Sequence, residues 1–169
     1  MMCSPMTDDL FGKGVGAILS EDRLYRYALW RIWDTNKPFA LFIGLNPSTA
    51  DETEDDPTIR RCVRFATEWA YGGLYMANLF AFRATDPSVM TSCPSPVGPD
   101  NDHHLLTRAK EAGVIVCAWG THGAHQERDT SVTKLLSDYD LKCLGQTKDG
   151  HPRHPLYIRA DKTLEPYGS

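Results

Sequence analysis

The sequence predicts an α/β fold, a three-layer α/β/α arrangement with a mainly parallel central sheet and an N-terminal antiparallel hairpin. Two observations carry this prediction. Short apolar runs rich in β-formers, such as Phe39–Ile43 and Val114–Trp119, alternate with longer segments of helical periodicity, the pattern of a sheet covered by helices. Each apolar run also empties into a polar loop, and open α/β sheets bind ligands at the carboxyl ends of their strands.

The elements follow in order. Gly12, Gly14 and Gly16 give a loose, strand-like lead-in and no phosphate loop, because no strand precedes them and no Gly-Lys-Ser/Thr follows. Tyr25–Trp33 alternates, with Tyr25, Tyr27, Leu29, Arg31 and Trp33 on one face, and reads as a strand. Residues 34–38 join it to the strand at 39–45, which makes the antiparallel hairpin. Asp56 and Pro57 mark an N-cap and first helical position, and Ile59, Cys62, Val63, Ala66, Trp69 and Ala70 recur at helical spacing until Gly72-Gly73. Leu74–Phe80 is the next strand. Residues 88–99, with three prolines, form an irregular connection. A helix from Asp100 or Asn101 to about Ala112 precedes the strand at 114–119. A helix from about Gln126 to Asp138 and a short strand, Leu141–Leu144, complete the order.

The 169 residues read as a single α/β domain with its core at about 25–158 and peripheral segments at 1–20 and 160–169. A hydrophobic share of 41% and a charged share of 24% describe a soluble globular chain. No run approaches the length of a membrane span, so no membrane partner is expected. A net charge of −4 gives no general attraction to nucleic acid, so polyanion binding requires a local basic patch. The five cysteines are scattered without a CxxC pair, and the start lacks the plan of a signal peptide, which points to reduced thiols and a cytoplasmic location. Cys117 and Cys143 fall within apolar runs and read as core residues.

In a sheet of this kind the polar exits share one edge, which gathers Asn46, Arg83, His122 and His154. The stretch Leu41–Asp51, LFIGLNPSTAD, is the centre of the arrangement. Gly44 permits close approach, Pro47 stiffens the turn, and Asn46, Ser48 and Thr49 supply short polar groups. Arg60, Arg61 and Arg64 lie in the first turns of the following helix, either as a solvated face or as phosphate contacts. The carboxylates from Asp51 to Asp56 can position a water or a divalent cation, or be solvated. His122 with His125, and His151 with His154, form HxxH pairs among Gly and Pro without a matching Cys or Glu pattern, so no metal site and no cofactor are expected. The absence of GxSxG, GxGxxG and a phosphate-loop lysine disfavours a serine hydrolase, a dinucleotide enzyme and a nucleoside triphosphatase.

The set GLNPSTAD, DPTIRRC, NLFAFRATDP, PVGPDND and HPRHPLY closely resembles domain-of-unknown-function family 1643, found in bacteria and phages, from about Tyr25 to Tyr157. More distantly, the order of motifs resembles the uracil-DNA glycosylase superfamily: a strand ending in G-x-N-P, a strand carrying Asn, and a late His-Pro loop. Gly44-Leu45-Asn46-Pro47 matches the G-I-N-P form, with Ser48 where that form has Gly. The resemblance implies that Asn46 orients an attacking water, that Asn78 reads the base edge, and that His154 hydrogen-bonds the carbonyl of the leaving base. Phe80 or Phe82 would then supply a stacking face. Asp51 joins Asn46 and His154 as a catalytic candidate. The substrate-binding candidates are Gly44, Pro47, Ser48, Thr49, Asn78 and Phe80, together with Arg83, His122 and Arg153. The expected partner is a nucleotide or nucleic acid. The reading is an enzyme acting on the glycosidic bond or base; the alternatives are a non-catalytic module that binds a nucleotide or modified base and, ranked last, a metal-dependent hydrolase using Asp51–Asp56.

Overall fold

The computed structural model describes residues 14–168; Cys3, Gly12 and the rest of the lead-in through residue 13 lie outside the described residues, as does Ser169. Seven strands are present among them: β1 (Val15–Leu19), β2 (Arg26–Ile32), β3 (Phe39–Gly44), β4 (Gly73–Asn78), β5 (Val114–Cys117), β6 (Leu141–Cys143) and β7 (Glu165–Pro166). They form one sheet in the order β1-β2-β4-β3-β5-β6-β7. β4, β3, β5 and β6 are parallel, whereas β1–β2, β2–β4 and β6–β7 pair antiparallel. The sheet is therefore mixed, with a parallel centre and antiparallel margins, where the sequence suggested a mainly parallel one.

The expected hairpin between the strands at 25–33 and 39–45 does not form. β4 inserts between them, and β2 instead makes its hairpin with β1. Glycine makes this insertion possible. The 34–38 link arches over Gly72, whose N–H donates to the Pro38 carbonyl at 2.8 Å while its own carbonyl accepts from Trp33 and Asp34. A Cβ at Gly72 would stand 2.1 Å from the Asp34 carbonyl oxygen.

Four α-helices are present among the described residues: α1 (Pro57–Glu68), α2 (Pro87–Ser92), α3 (Asn101–Glu111) and α4 (Arg128–Leu135). α1 starts as its sequence signal predicts, with Asp56 Oδ1 accepting from the Ile59 N–H at 2.9 Å and Pro57 in the first turn. It buries Ile59, Cys62, Phe65 and Ala66 against Leu29, Phe42, Met76 and Val116 on one face of the sheet. α3 and α4 cover the other face, where Leu105, Ala109 and Val132 meet Trp30, Ile43, Tyr75 and Cys117. Cys117 and Cys143 are fully buried. With both faces covered, the central strands are apolar throughout, which is why they read as continuous runs.

Three local departures have physical causes. α2 occupies part of the expected irregular connection because Asp86 accepts from the Ser88 N–H and Pro87 follows it, the same Asp-Pro device that starts α1. The helix expected from Gln126 begins as a 3-10 turn, Thr121–Glu127, and breaks where Gln126 and Glu127 take φ of 55° and 54°. Helical geometry resumes at Arg128, whose buried guanidinium donates to the Leu79 carbonyl and to Asp102. α1 ends through Ala70, which adopts φ of 66°, before Gly72 is reached. Among the described residues no helix is long and apolar enough to cross a membrane.

Candidate functional site

The parallel strands β3, β4 and β5 deliver their carboxyl ends to one edge, and a cleft of about 630 Å³ opens there. Gly44 ends β3, Asn78 ends β4, and Trp119-Gly120 follow β5; all four line the cleft. The loop from Leu45 to Thr49 forms one wall, and the start of α1, Asp56–Ile59, forms another. His122, His154 and Tyr157 contribute from the later loops.

Buried and half-buried hydrogen bonds fix the parts. Asn46 Nδ2 donates to the carbonyls of Ala84 (2.8 Å), Pro47 (3.0 Å) and Phe82 (3.4 Å), which ties the β3 exit to the segment after β4. Three carbonyl acceptors around one atom identify it as the amide nitrogen. Asn101 Nδ2 donates to the carbonyls of Asn78 and Leu79, and Arg128 adds a second bond to Leu79. Two arginines of β2 shape the loop after β3. Arg31 donates to the carbonyls of Asp51, Glu52 and Glu54 and to the Asp55 carboxylate at 2.9 Å. Arg26 donates through Nη1 to the Ala50 carbonyl at 3.0 Å and through Nη2 to Asn78 Oδ1 at 3.3 Å. With its oxygen engaged by a cation, Asn78 is left with its NH2 group as the free end.

Burial sets the protonation of the site. It lowers the His154 pKa below its ordinary value, against the opposing pull of Asp56, so the ring is neutral at neutral pH. Its Nδ1 accepts from the Leu156 N–H at 3.2 Å, so the proton sits on Nε2 and the ring is a donor there. Arg26 is only 2% exposed, and burial lowers its pKa to about 10, which still leaves it cationic. The cleft thus holds two oriented donors, Asn78 and His154, beside a buried positive charge. Hydroxyls of Ser48, Thr49, Thr58, Thr85 and Thr121 also line it.

The model of a protein family described as protein of unknown function, DUF1643, matches residues 26–156, most of the chain and nearly the whole span that builds this cleft. The chain belongs to the DUF1643 family. No curated protein matches it, and no solved structure matches it.

In this DUF1643 chain the residues expected at the site divide into two groups. Gly44, Asn46, Pro47, Ser48 and Thr49 line the cleft, as do Asn78, His122 and His154. Asp51 lies outside it. Its Oδ1 accepts from the N–H groups of Glu54 and Thr53, which holds its carboxyl below the usual carboxylate range and commits it to the turn. Phe80 is fully buried, 5.6 Å from the His125 ring, and has no face on the cleft. Phe82 packs on Tyr25. Arg83 turns away to donate to the Arg23 carbonyl. Arg153 borders a separate depression of about 420 Å³ near the C-terminus and donates to the Gln146 carbonyl. Of the α1 arginines, Arg60 donates to the Asp55 carbonyl, Arg61 lies over the Phe65 ring, and Arg64 pairs with Glu68; none lines the cleft. Among the described residues no group of three His, Cys, Asp or Glu is placed to hold a metal ion.

Sequence reasoning missed Arg26, Asp56, Trp119 and Tyr157 as cleft residues. Tyr157 is 80% exposed, its ring 5.6 Å from that of His154, and it is the aromatic face nearest the site's histidine. It closes the HPRHPLY motif, so its position beside the histidine was readable. Arg26 gave a weaker signal: a charge inside an aromatic strand, on the face opposite the one the alternation favoured.

Proposed function

We propose that this DUF1643 chain binds a nucleotide in the cleft and acts on its base or N-glycosidic bond, in the manner of the uracil-DNA glycosylase superfamily its motifs resemble. The observation that carries the reading is the pair of donors. Asn78 has its acceptor held by Arg26, and neutral His154 has its acceptor held by Leu156, so each offers only hydrogen to the ligand. Donors held in place before reaction suit a base whose oxygen gains negative charge as the glycosidic bond breaks, because they stabilise that charge without reorganising. Tyr157 supports the reading as an exposed ring able to stack on a base. Asn46 keeps its side-chain oxygen without a hydrogen-bond donor among the described residues, which fits a role in orienting a water.

The test is mass spectrometry of a substrate panel incubated with the protein. Free nucleotides, nucleosides and single- and double-stranded oligonucleotides, with normal, deaminated and hypermodified bases, cover the possible products. His154→Asn is the matched control. Asn is a good cap, so the bond from the Leu156 N–H is kept while the Nε2 donor is lost. Base release that falls by about 10²-fold in His154→Asn is the expected result. Saturable binding with no product from any substrate would leave a binding module in place of the enzyme.

A further inference from the structure

The proposed function leaves unexplained why a cation is buried at the cleft. Arg26 lines it and is 2% exposed, yet it belongs to no ion pair among the described residues. Its two hydrogen bonds go to neutral acceptors, the Ala50 carbonyl and Asn78 Oδ1, and its buried Nε has no partner. By contrast Arg31, on the same strand, meets the Asp55 carboxylate, and Arg128 meets Asp102. A buried charge without a counter-charge in contact is costly unless something supplies one. Asp56, the one carboxylate among the described residues that lines the cleft, acts on Arg26 through space without touching it, and its Oδ1 is committed to capping α1 through Ile59.

We propose that Arg26 is the counter-ion for a phosphate of the ligand, and that the ligand is a free mononucleotide. This rests on the nucleotide reading above and narrows it. A guanidinium is the side chain best matched to phosphate oxygens, and the first turn of α1 borders the same cleft, where Pro57 has no N–H and Asp56 takes that of Ile59, which leaves the Thr58 N–H as its one donor. Hydroxyls of Ser48, Thr49 and Thr58 supply further donors. Two observations favour a mononucleotide over a polynucleotide. The cleft volume, about 630 Å³, falls in the range of small-molecule pockets. The segment between the two cleft walls carries Asp51, Glu52, Glu54 and Asp55, of which only Glu52 and Asp55 are ion-paired among the described residues, with Arg23 and Arg31, and the chain as a whole has a net charge of −4, which opposes a strand of phosphates passing over this segment.

The experiment is titration calorimetry of the full chain with nucleoside 5′-monophosphates, the matching nucleosides, inorganic phosphate and a short oligothymidylate. At least one monophosphate is expected to bind about tenfold or more tightly than its nucleoside. Inorganic phosphate competes with it, and Arg26→Met removes the difference between monophosphate and nucleoside. Phosphate competition in the wild type needs no variant, so the inference stays testable should Arg26→Met fail to fold. Equal affinity for nucleoside and monophosphate would overturn the phosphate site and leave the nucleobase reading standing. Tight binding confined to the oligothymidylate would overturn the mononucleotide. Arg26-dependent binding of inorganic phosphate with neither nucleoside nor monophosphate bound would keep the anion site and overturn the nucleotide reading.

Discussion

Gly44 and Asn78 stand side by side at the ends of paired parallel strands, and a Cβ on Gly44 would lie 3.0 Å from the Asn78 amide nitrogen. The glycine therefore leaves the space in which that amide sits. Because the amide's oxygen is held by Arg26, any displacement acts on the donor that faces a ligand.

The first prediction follows from this contact. Gly44→Ala also meets the Met76 Cε at 2.7 Å, but that methyl ends a flexible chain and can yield. The variant folds, with a small loss of melting temperature, and its affinity for a cleft ligand falls about tenfold to a hundredfold. Calorimetry and thermal unfolding on one preparation check both halves. Unchanged affinity would remove Asn78 from the reading of the ligand.

Asn46→Ala behaves differently from a clean deletion of a catalytic group. It strips the donor from the carbonyls of Pro47, Phe82 and Ala84, so it loosens the link between the β3 exit and the segment after β4. Stability is expected to fall by about 2 kcal/mol, read by urea unfolding. A change within about 0.5 kcal/mol would mean that this network does not hold the loop.

Ala70→Gly should stabilise the chain. Ala70 takes φ of 66°, a conformation that disfavours any residue with a Cβ, and it is exposed at the end of α1. Removing the Cβ relieves about 1 kcal/mol of strain, partly offset by the freedom gained in the unfolded chain. Urea midpoints of the two proteins decide the sign.

Two half-buried imidazoles make stability sensitive to acid. Burial is the main cause that lowers the pKa of both His104, stacked on Tyr27, and His154 below the ordinary 6.5. The unfolded chain then binds protons that the folded chain refuses. Stability is flat above about pH 7 and falls as pH drops below the unfolded value toward the lower folded values. His104→Gln should flatten part of this slope in urea unfolding between about pH 8 and about pH 5. An unchanged slope would show that His104 does not contribute to it.

The legible parts of the fold were those written locally. The β-branched run Val114–Cys117 and the Asp56-Pro57 cap each declare their element within a few residues, and β5 and α1 lie where those signals place them. The partner of β2 is not written locally. The 34–38 turn looks like a hairpin loop, and only the tight crossing at Gly72 reveals that another strand passes beneath it. The site followed the same division. Gly44, Asn46 and His154 line the cleft because strand ends converge in any parallel sheet, while Asn78, named through the resemblance alone, lines it as the last residue of β4. Phe80 reads like a neighbour of Asn78 in sequence, but the chain has left β4 by then and its ring turns into the core. Arg26 escaped because a single strand cannot show that its charge will find no carboxylate.

The insertion of β4 between β2 and β3 also has a consequence for synthesis. β2 can pair with β1 as soon as both have emerged, but its other edge waits for β4, since Leu29 pairs with Met76. Until β3, the acidic loop and α1 have followed, the nascent chain presents an open edge on a strand, RYALWRI, that is destined for burial. Such edges invite pairing with other chains. Arg26 and Arg31 interrupt the apolar run at that stage, as charged gatekeepers do beside aggregation-prone strands. The arginines that end by organising the loop around the cleft thus begin by keeping the unfinished sheet apart from its neighbours.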